Sequence, residues 1–216
     1  MDEGSGREEF PIVLDSEHMG ALSKRRAAEN DAPLGKPDCP EGQLQAVLDA
    51  LPEDGTLLEY GSGASTVWFA NRLLPNQHLV SVEHDETWYW KAANQVPNWE
   101  QTKMLFCPAT TKQFVELQAG HPARECPVGL SRYIGAHVDI DEDSAVLDAD
   151  VIFVDGVARG ACLAVAAASA KEGCIVFLHD AQRNWYGWAS ALFILIASIP
   201  SPQGGSQLLC KYRLRR

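Results

Sequence analysis

The rhythm of apolar residues along the chain changes at Glu41. Before it, residues 1–40 are polar, charged and broken by Pro33, Pro37 and Pro40, with helical spacing only around Gly20 to Glu29. After it, Leu44, Val47, Leu48 and Leu51 recur on one helix face, and Pro52-Glu53-Asp54-Gly55 stops that helix. Short apolar runs then alternate with helical stretches. Thr56 to Tyr60 reads as a strand, Ala64 to Leu74 as a helix with Val67, Ala70 and Leu74 inward, and His78 to Glu83 as a second strand. Asp85 to Gln95 follows as a helix and Lys103 to Cys107 as a third strand. Val151-Ile152-Phe153-Val154 is the clearest strand, an apolar run between Asp150 and Asp155. The Ala-rich stretch Val157 to Lys171 predicts a helix closed by Gly173, and Cys174 to Leu178 the next strand. Such alternation predicts an α/β fold, a Rossmann-like, doubly wound and mostly parallel sheet with helices on both faces.

The two ends of this pattern differ from its middle. Leu192 to Ile199 and Gln207 to Leu214 are extended runs joined by a Pro- and Gly-rich connection, which predicts a C-terminal antiparallel hairpin on the sheet edge. A helix over Ala189 to Ile199 is the alternative. The domain organisation expected is a polar leader, 1–40, and a single domain, 41–216, with a substrate-side insertion around 120–148 where periodicity fails.

Composition narrows the partners. At 216 residues and 46% hydrophobic, the chain can build one core without staples. Its formal net charge of -11 works against a polyanionic ligand, because nucleic-acid affinity rests on clustered Lys and Arg. The basic runs Lys24-Arg25-Arg26 and Arg213 to Arg216 are short and read as solvated surface or tail. The first ten residues carry acids rather than an apolar stretch, and no run approaches the ~20 residues that span a bilayer. Six cysteines lack any C-x-x-C spacing. The expectation is a cytoplasmic protein acting on a small molecule, with neither nucleic acid nor membrane as partner.

In a doubly wound sheet, ligands lie beyond the carboxyl ends of the strands, so the strand ends carry the chemistry. The first ends Glu59-Tyr60-Gly61-Ser62-Gly63-Ala64-Ser65-Thr66, where two glycines let the backbone turn tightly and approach a ligand. Thr66 stands where a dinucleotide fingerprint has its third glycine, and Glu59 disfavours a pyrophosphate there while suiting a cationic group. The second ends Val82-Glu83-His84-Asp85, with Glu83 placed 22 residues after Gly61 to take both hydroxyls of a ribose. His84 either lines that site or faces solvent.

The stretch from Leu57 to Asp85 resembles the first two motifs of class I S-adenosylmethionine-dependent methyltransferases. "LLEYGSGAST" is similar to the family's acidic-x-Gly-x-Gly turn and "LVSVEHD" to its ribose-binding acid. The resemblance implies S-adenosylmethionine as cofactor, with Glu59, Gly61 and Gly63 at the methionine part and Ser62, Ser65, Thr66, His84 and Asp155 as further candidates for the cofactor site. It places the ribose at Glu83, the adenine near Cys107 and Pro108, and Asp155 between cofactor and acceptor. "VFLHDAQR" is similar to a His-Asp-x-x-Arg segment of plant glucuronoxylan O-methyltransferases, which implies O-methylation of a small hydroxylated molecule or sugar acid.

Methyl transfer from a sulfonium is an in-line displacement, so alignment supplies much of the rate. A hydroxyl acceptor also gains from a base or a metal. His179 is the candidate base, and Asp155 with Asp180 are candidate catalytic groups or oxygen ligands for a divalent metal. The alternatives are a loop hydrogen bond for His179 and a helix cap for Asp180. Arg183 suits a substrate carboxylate or a structural ion pair, and Tyr186 joins the tryptophans near it as a candidate substrate platform. An NAD-type oxidoreductase and a non-catalytic nucleotide-binding module are the competing readings.

Overall fold

The structure, a computed structural model, describes residues 33–109, 129–136, 148–202 and 206–215. Helix α1 (Glu41–Leu48) buries Gln43, Leu44 and Val47, and Gln43 Nε2 donates to Ile199 O at 2.7 Å, tying the helix to the C-terminal hairpin. Strand β1 (Thr56–Tyr60), helix α2 (Ala64–Ala70), strand β2 (His78–Glu83), helix α3 (Glu86–Ala93) and strand β3 (Thr102–Phe106) follow. Asp85 caps α3 by accepting from the Thr87 and Trp88 N–H groups, which is why that helix starts there. A single-turn helix α4 (Ser131–Ile134) precedes strand β4 (Val151–Val154), helix α5 (Arg159–Ser169) and strand β5 (Ile175–Leu178). A 3₁₀ turn (Asn184–Tyr186), helix α6 (Gly187–Ser190) and strands β6 (Phe193–Pro200) and β7 (Leu208–Leu214) complete the chain.

The seven strands lie in the order β3-β2-β1-β4-β5-β7-β6. β1 to β5 are parallel, and β7 runs antiparallel between β5 and β6. Successive residues point to opposite faces of the sheet. Leu58, Tyr60, Ile152 and Val154 pack under α5 on one face, while Leu57, Phe153 and Phe177 pack with α1 to α3 on the other. Continuous apolar runs are what burial on both faces requires, and the α/β sheet expected from them is the one observed.

The hairpin expected over Leu192 to Ile199 and Gln207 to Leu214 forms as β6 and β7, and of the alternative helix over Ala189 to Ile199 only the short α6 is present. Two details depart from the sequence reading. Within the segment read as an insertion, α4 forms, and Leu130, Tyr133, Ile134 and Ala136 are buried. One turn is too short for a 3.6-residue period to declare itself. Residues 120–128 and 137–147, the Gly20 to Glu29 helix and Lys24-Arg25-Arg26 fall outside the described residues. The boundary at residue 40 also shifts, since Cys39 is buried and Leu34 packs against the core.

β1 has β2 on one side and β4 on the other, so the chain winds away from it in both directions and opens a crevice. At that point the backbones of Gly61 and Gly156 touch. Gly61 has φ +98°, and a Cβ on it would lie 2.5 Å from Gly156 Cα. Glycine is required at Gly61 both by its conformation and by the space.

Candidate active site at the strand switch point

A cavity of about 460 Å³ opens over this crevice. Gly61, Ser62, Gly63, Ser65, Glu83 and His84 line it from the β1–β2 half, and Asp155, Arg159, His179, Asp180 and Arg183 from the β4–β5 half. Its size is within the range of small-molecule sites. Five acids (Asp38, Glu83, Asp85, Asp155, Asp180) and three bases (Lys36, Arg159, Arg183) border it, so the field favours a ligand with a positive end.

The glycine turn is tied down from within. Gly61 N–H donates to Val82 O at 2.9 Å, Ser62 N–H to Glu83 Oε2 at 2.8 Å and Gly63 N–H to Thr66 Oγ1 at 2.8 Å. The turn therefore offers a ligand shape and close approach more than free donors. Glu83 is buried at the end of β2, and its Oε1 accepts from the His84 and Asp85 N–H groups at 2.8 and 2.7 Å. Its Oε2 accepts a single N–H from Ser62, which leaves that oxygen a lone pair for a hydroxyl. His84 Nδ1 lies 2.8 Å from Glu83 Oε1, and its ring meets Tyr133 edge-on at 5.4 Å.

Glu59 lies beneath the turn and does not line the cavity. Its oxygens accept from Ser65 Oγ and Thr66 Oγ1, both at 2.6 Å, and Ser81 Oγ at 2.7 Å. Burial pushes its carboxyl up to about 7, against the pull of those three hydroxyls. The contact to a ligand expected of Glu59 and Thr66 is thus replaced by a scaffold role: both residues hold the turn in shape from below.

On the other half, His179 Nδ1 and Asp155 Oδ1 are 2.7 Å apart. A carboxylate only accepts, so Nδ1 donates to Asp155, and in the neutral ring Nε2 is the acceptor. That Nε2 is buried and has no hydrogen-bond partner among the described residues. Arg159 holds both strand ends. Its Nε donates to Gly156 O, its Nη2 to Asp155 O and its Nη1 to His179 O, at 2.8, 2.8 and 2.7 Å. The same guanidinium lies 3.2 Å from Asp155 Oδ1 and 3.4 Å from Asp180 Oδ2. Arg183 Nη2 meets Asp180 Oδ2 at 2.6 Å, so the guanidinium both forms an ion pair and faces the cavity. Burial raises the Asp180 carboxyl, but His179, Arg159, Gln182 and Arg183 outweigh it and hold it below its ordinary value. Two non-glycine residues here adopt positive φ, Ala158 at 50° and Asp180 at 57°. Such backbone costs on the order of 1–3 kcal/mol and persists where surrounding bonds fix it, as Arg159 does on both strands.

These bonds answer the metal expectation. Both Asp155 and Asp180 spend their carboxylates on guanidinium groups, and no cluster of three or more His, Cys, Asp or Glu among the described residues is arranged to hold an ion. A divalent cation at this pair finds no support. Tyr186 is also displaced from its expected role: it is buried in the core, with the Arg159 guanidinium 5.9 Å from its ring centre. Trp88 lines the cavity, whereas Trp90 and Cys107 are core residues.

Sequence reasoning missed Arg159, although its position carries a signal. An Arg in the first turn of a helix opposes the helix dipole, and this one stands alone in an Ala-rich segment three residues after Gly156. Leu34, Lys36, Pro37, Asp38 and Gln207 also line the cavity, from irregular segments without periodicity. Tyr133 was missed too. Its hydroxyl reaches the place where a side chain on Gly156 would begin, and burial holds its phenol well above the usual range.

No protein-family model matches the chain, and no curated protein matches its sequence. Solved structures do. A methyltransferase-like protein from Silicibacter pomeroyi is 25% identical, with a TM-score of 0.55 over 83% of this chain and 89% of the other. The precorrin-6y C5,15-methyltransferase of Geobacter metallireducens is 12% identical, with a TM-score of 0.55 over 86% and 94%. The N-methyltransferase NodS of Bradyrhizobium japonicum, solved with S-adenosylhomocysteine, is 12% identical, with a TM-score of 0.51 over 92% and 99%. The chain has the class I methyltransferase fold. Within a methyltransferase fold the switch-point cavity, the Gly61-Ser62-Gly63 turn and the strand-end Glu83 fall in one place, as the sequence pattern anticipated for the fold.

Proposed function

We propose that this protein is an S-adenosylmethionine-dependent methyltransferase that methylates an oxygen of a small hydroxylated acceptor, with sugar acids the favoured class. The observation that carries the reading is the His179–Asp155 pair, which lines the same cavity as the glycine turn and Glu83 and whose buried Nε2 has no hydrogen-bond partner among the described residues.

The residues present fit the cofactor. The Gly61–Gly156 contact clears the crevice of side chains, Glu83 Oε2 retains a lone pair for a ribose hydroxyl, and the acidic border suits a sulfonium and an aminium. When bound, S-adenosylmethionine supplies a methyl group on a cationic sulfur, open to in-line displacement. His179 Nε2 accepts the proton of the acceptor hydroxyl as that oxygen becomes the nucleophile. Asp155 keeps the proton on Nδ1 and stabilises the imidazolium that results, and Arg159 keeps Asp155 in register with His179. The cavity-facing donors of Arg183 suit a carboxylate on the acceptor. The reading places the protein in a reducing cytoplasm, where its described cysteines stay as buried thiols.

The test is a panel of acceptors incubated with methyl-labelled S-adenosylmethionine. Label should pass to hydroxyl-bearing acids such as glucuronic acid derivatives, and the new methyl should resist alkaline hydrolysis as an ether does. Label on amines or nucleic acid alone would overturn the oxygen assignment.

A further inference from the structure

Of the five acids and three bases that border the cavity, six are already committed to neighbours. Glu83 accepts from three backbone N–H groups, and Asp85 caps α3. Asp155 is held by His179 and Arg159, and Asp180 by Arg159 and Arg183. Those pairings engage both arginines as well. Lys36 and Asp38 are what remains. Neither side chain has a hydrogen bond or an ion pair among the described residues, and the two are not paired with each other. Both are exposed, which is how an unpaired charge is tolerated before a ligand arrives.

The segment that carries them is fixed along the cavity at both ends. Leu34 packs against the core, and its N–H donates to Gln95 Oε1 at 3.5 Å, just beyond α3. Cys39 is buried beside Gln43 of α1, and Asp38 O accepts from Gln207 Nε2 at 3.4 Å, next to β7. Gly35, at φ +73°, turns the chain between the first anchor and Lys36. Pro37 has its φ set by its ring, which lessens what a ligand must order on binding.

We propose that Lys36 and Asp38 grip the amino-acid end of the cofactor, Lys36 its α-carboxylate and Asp38 its α-aminium. The proposal rests on the methyltransferase reading and reassigns a role within it. Glu59, expected to meet the cationic end, is sealed beneath the turn by Ser65, Thr66 and Ser81. The Ser62 and Gly63 N–H groups already donate to Glu83 and Thr66, so the turn has little to offer the carboxylate. An amino-acid group carries both signs of charge on one carbon, and a wall of a single sign would attract one part and repel the other. Lys36 and Asp38 bring both signs to one wall with a single residue between them.

Calorimetry of the full chain with S-adenosylhomocysteine and with 5′-methylthioadenosine tests this. The second ligand keeps the adenosine and the sulfur and lacks the amino-acid group. The wild type should bind S-adenosylhomocysteine more tightly. Lys36→Gln and Asp38→Asn should each weaken that binding by about fivefold, the upper end for a solvent-exposed ion pair, and leave 5′-methylthioadenosine unchanged. Because both ligands meet the same variant, unchanged binding of the second also shows that the cavity is intact. Undiminished affinity for S-adenosylhomocysteine in either variant would remove that residue's assignment. An equal loss for both ligands would overturn the proposal too, since the segment would then shape the cavity without reading the amino-acid group. Failure of the wild type to bind either ligand would instead sink the cofactor reading, and this proposal with it.

Discussion

A His179→Ala variant is expected to bind S-adenosylhomocysteine as the wild type does and to lose methyl transfer by about 10²- to 10⁴-fold. The separation follows from the geometry. The hydrogen-bond partners of the glycine turn lie on β2 and α2, and none of these bonds involves His179. Asp155 keeps its ion pair with Arg159 when the imidazole is gone, so the buried carboxylate is not abandoned. What disappears is the His179 Nε2, buried without a hydrogen-bond partner among the described residues. Asp155→Asn should also lower the rate and change its pH profile, because an amide no longer dictates which ring nitrogen holds the proton. Calorimetry for binding and transfer of labelled methyl for activity separate the two effects. Undiminished turnover in His179→Ala would remove the histidine from the chemistry.

The second large effect concerns stability. Arg159→Met should cost about 3–5 kcal/mol, because it strips the cation from two carboxylates and the donors from three carbonyls in a buried setting. With a urea slope of about 1–3 kcal/mol/M, the unfolding midpoint should fall by roughly 2 M. Arg159→Lys should recover little of this. One ammonium cannot serve the Gly156, Asp155 and His179 carbonyls as a planar fork does. A midpoint within error of the wild type would show that the guanidinium is not what joins the ends of β4 and β5.

The fold was legible because burial on both faces writes a strand as a continuous apolar run, as in Val151 to Val154 and Ile175 to Leu178. The place of the candidate site was legible for a related reason: topology puts ligands at strand ends, and Gly61, Glu83, Asp155 and His179, which line one cavity, all follow or close a strand. What failed was assigning individual roles. Glu59 looked like a ligand for a cation, but three hydroxyls from Ser65, Thr66 and Ser81 satisfy it from inside, and those partners are spread over two elements. Tyr186 shares its segment with exposed tryptophans, and periodicity tells which residues share a face without saying whether that face meets a cavity or the core. Arg159 finds its carboxylate partners on two strand ends, and no local pattern joins them. Leu34, Lys36, Pro37 and Asp38 line the cavity from irregular backbone, which has no period to read.

The central claim is that the switch-point cavity holds a sulfonium nucleoside by its sugar at Glu83. Isothermal calorimetry of the full chain with S-adenosylhomocysteine, and separately with NAD, tests it most directly. Heat should appear with S-adenosylhomocysteine alone, and Glu83→Ala should weaken that binding by roughly ten- to hundredfold as a charge-assisted pair of hydrogen bonds is lost. Heat from NAD alone, or the same affinity in a folded Glu83→Ala protein, would contradict it.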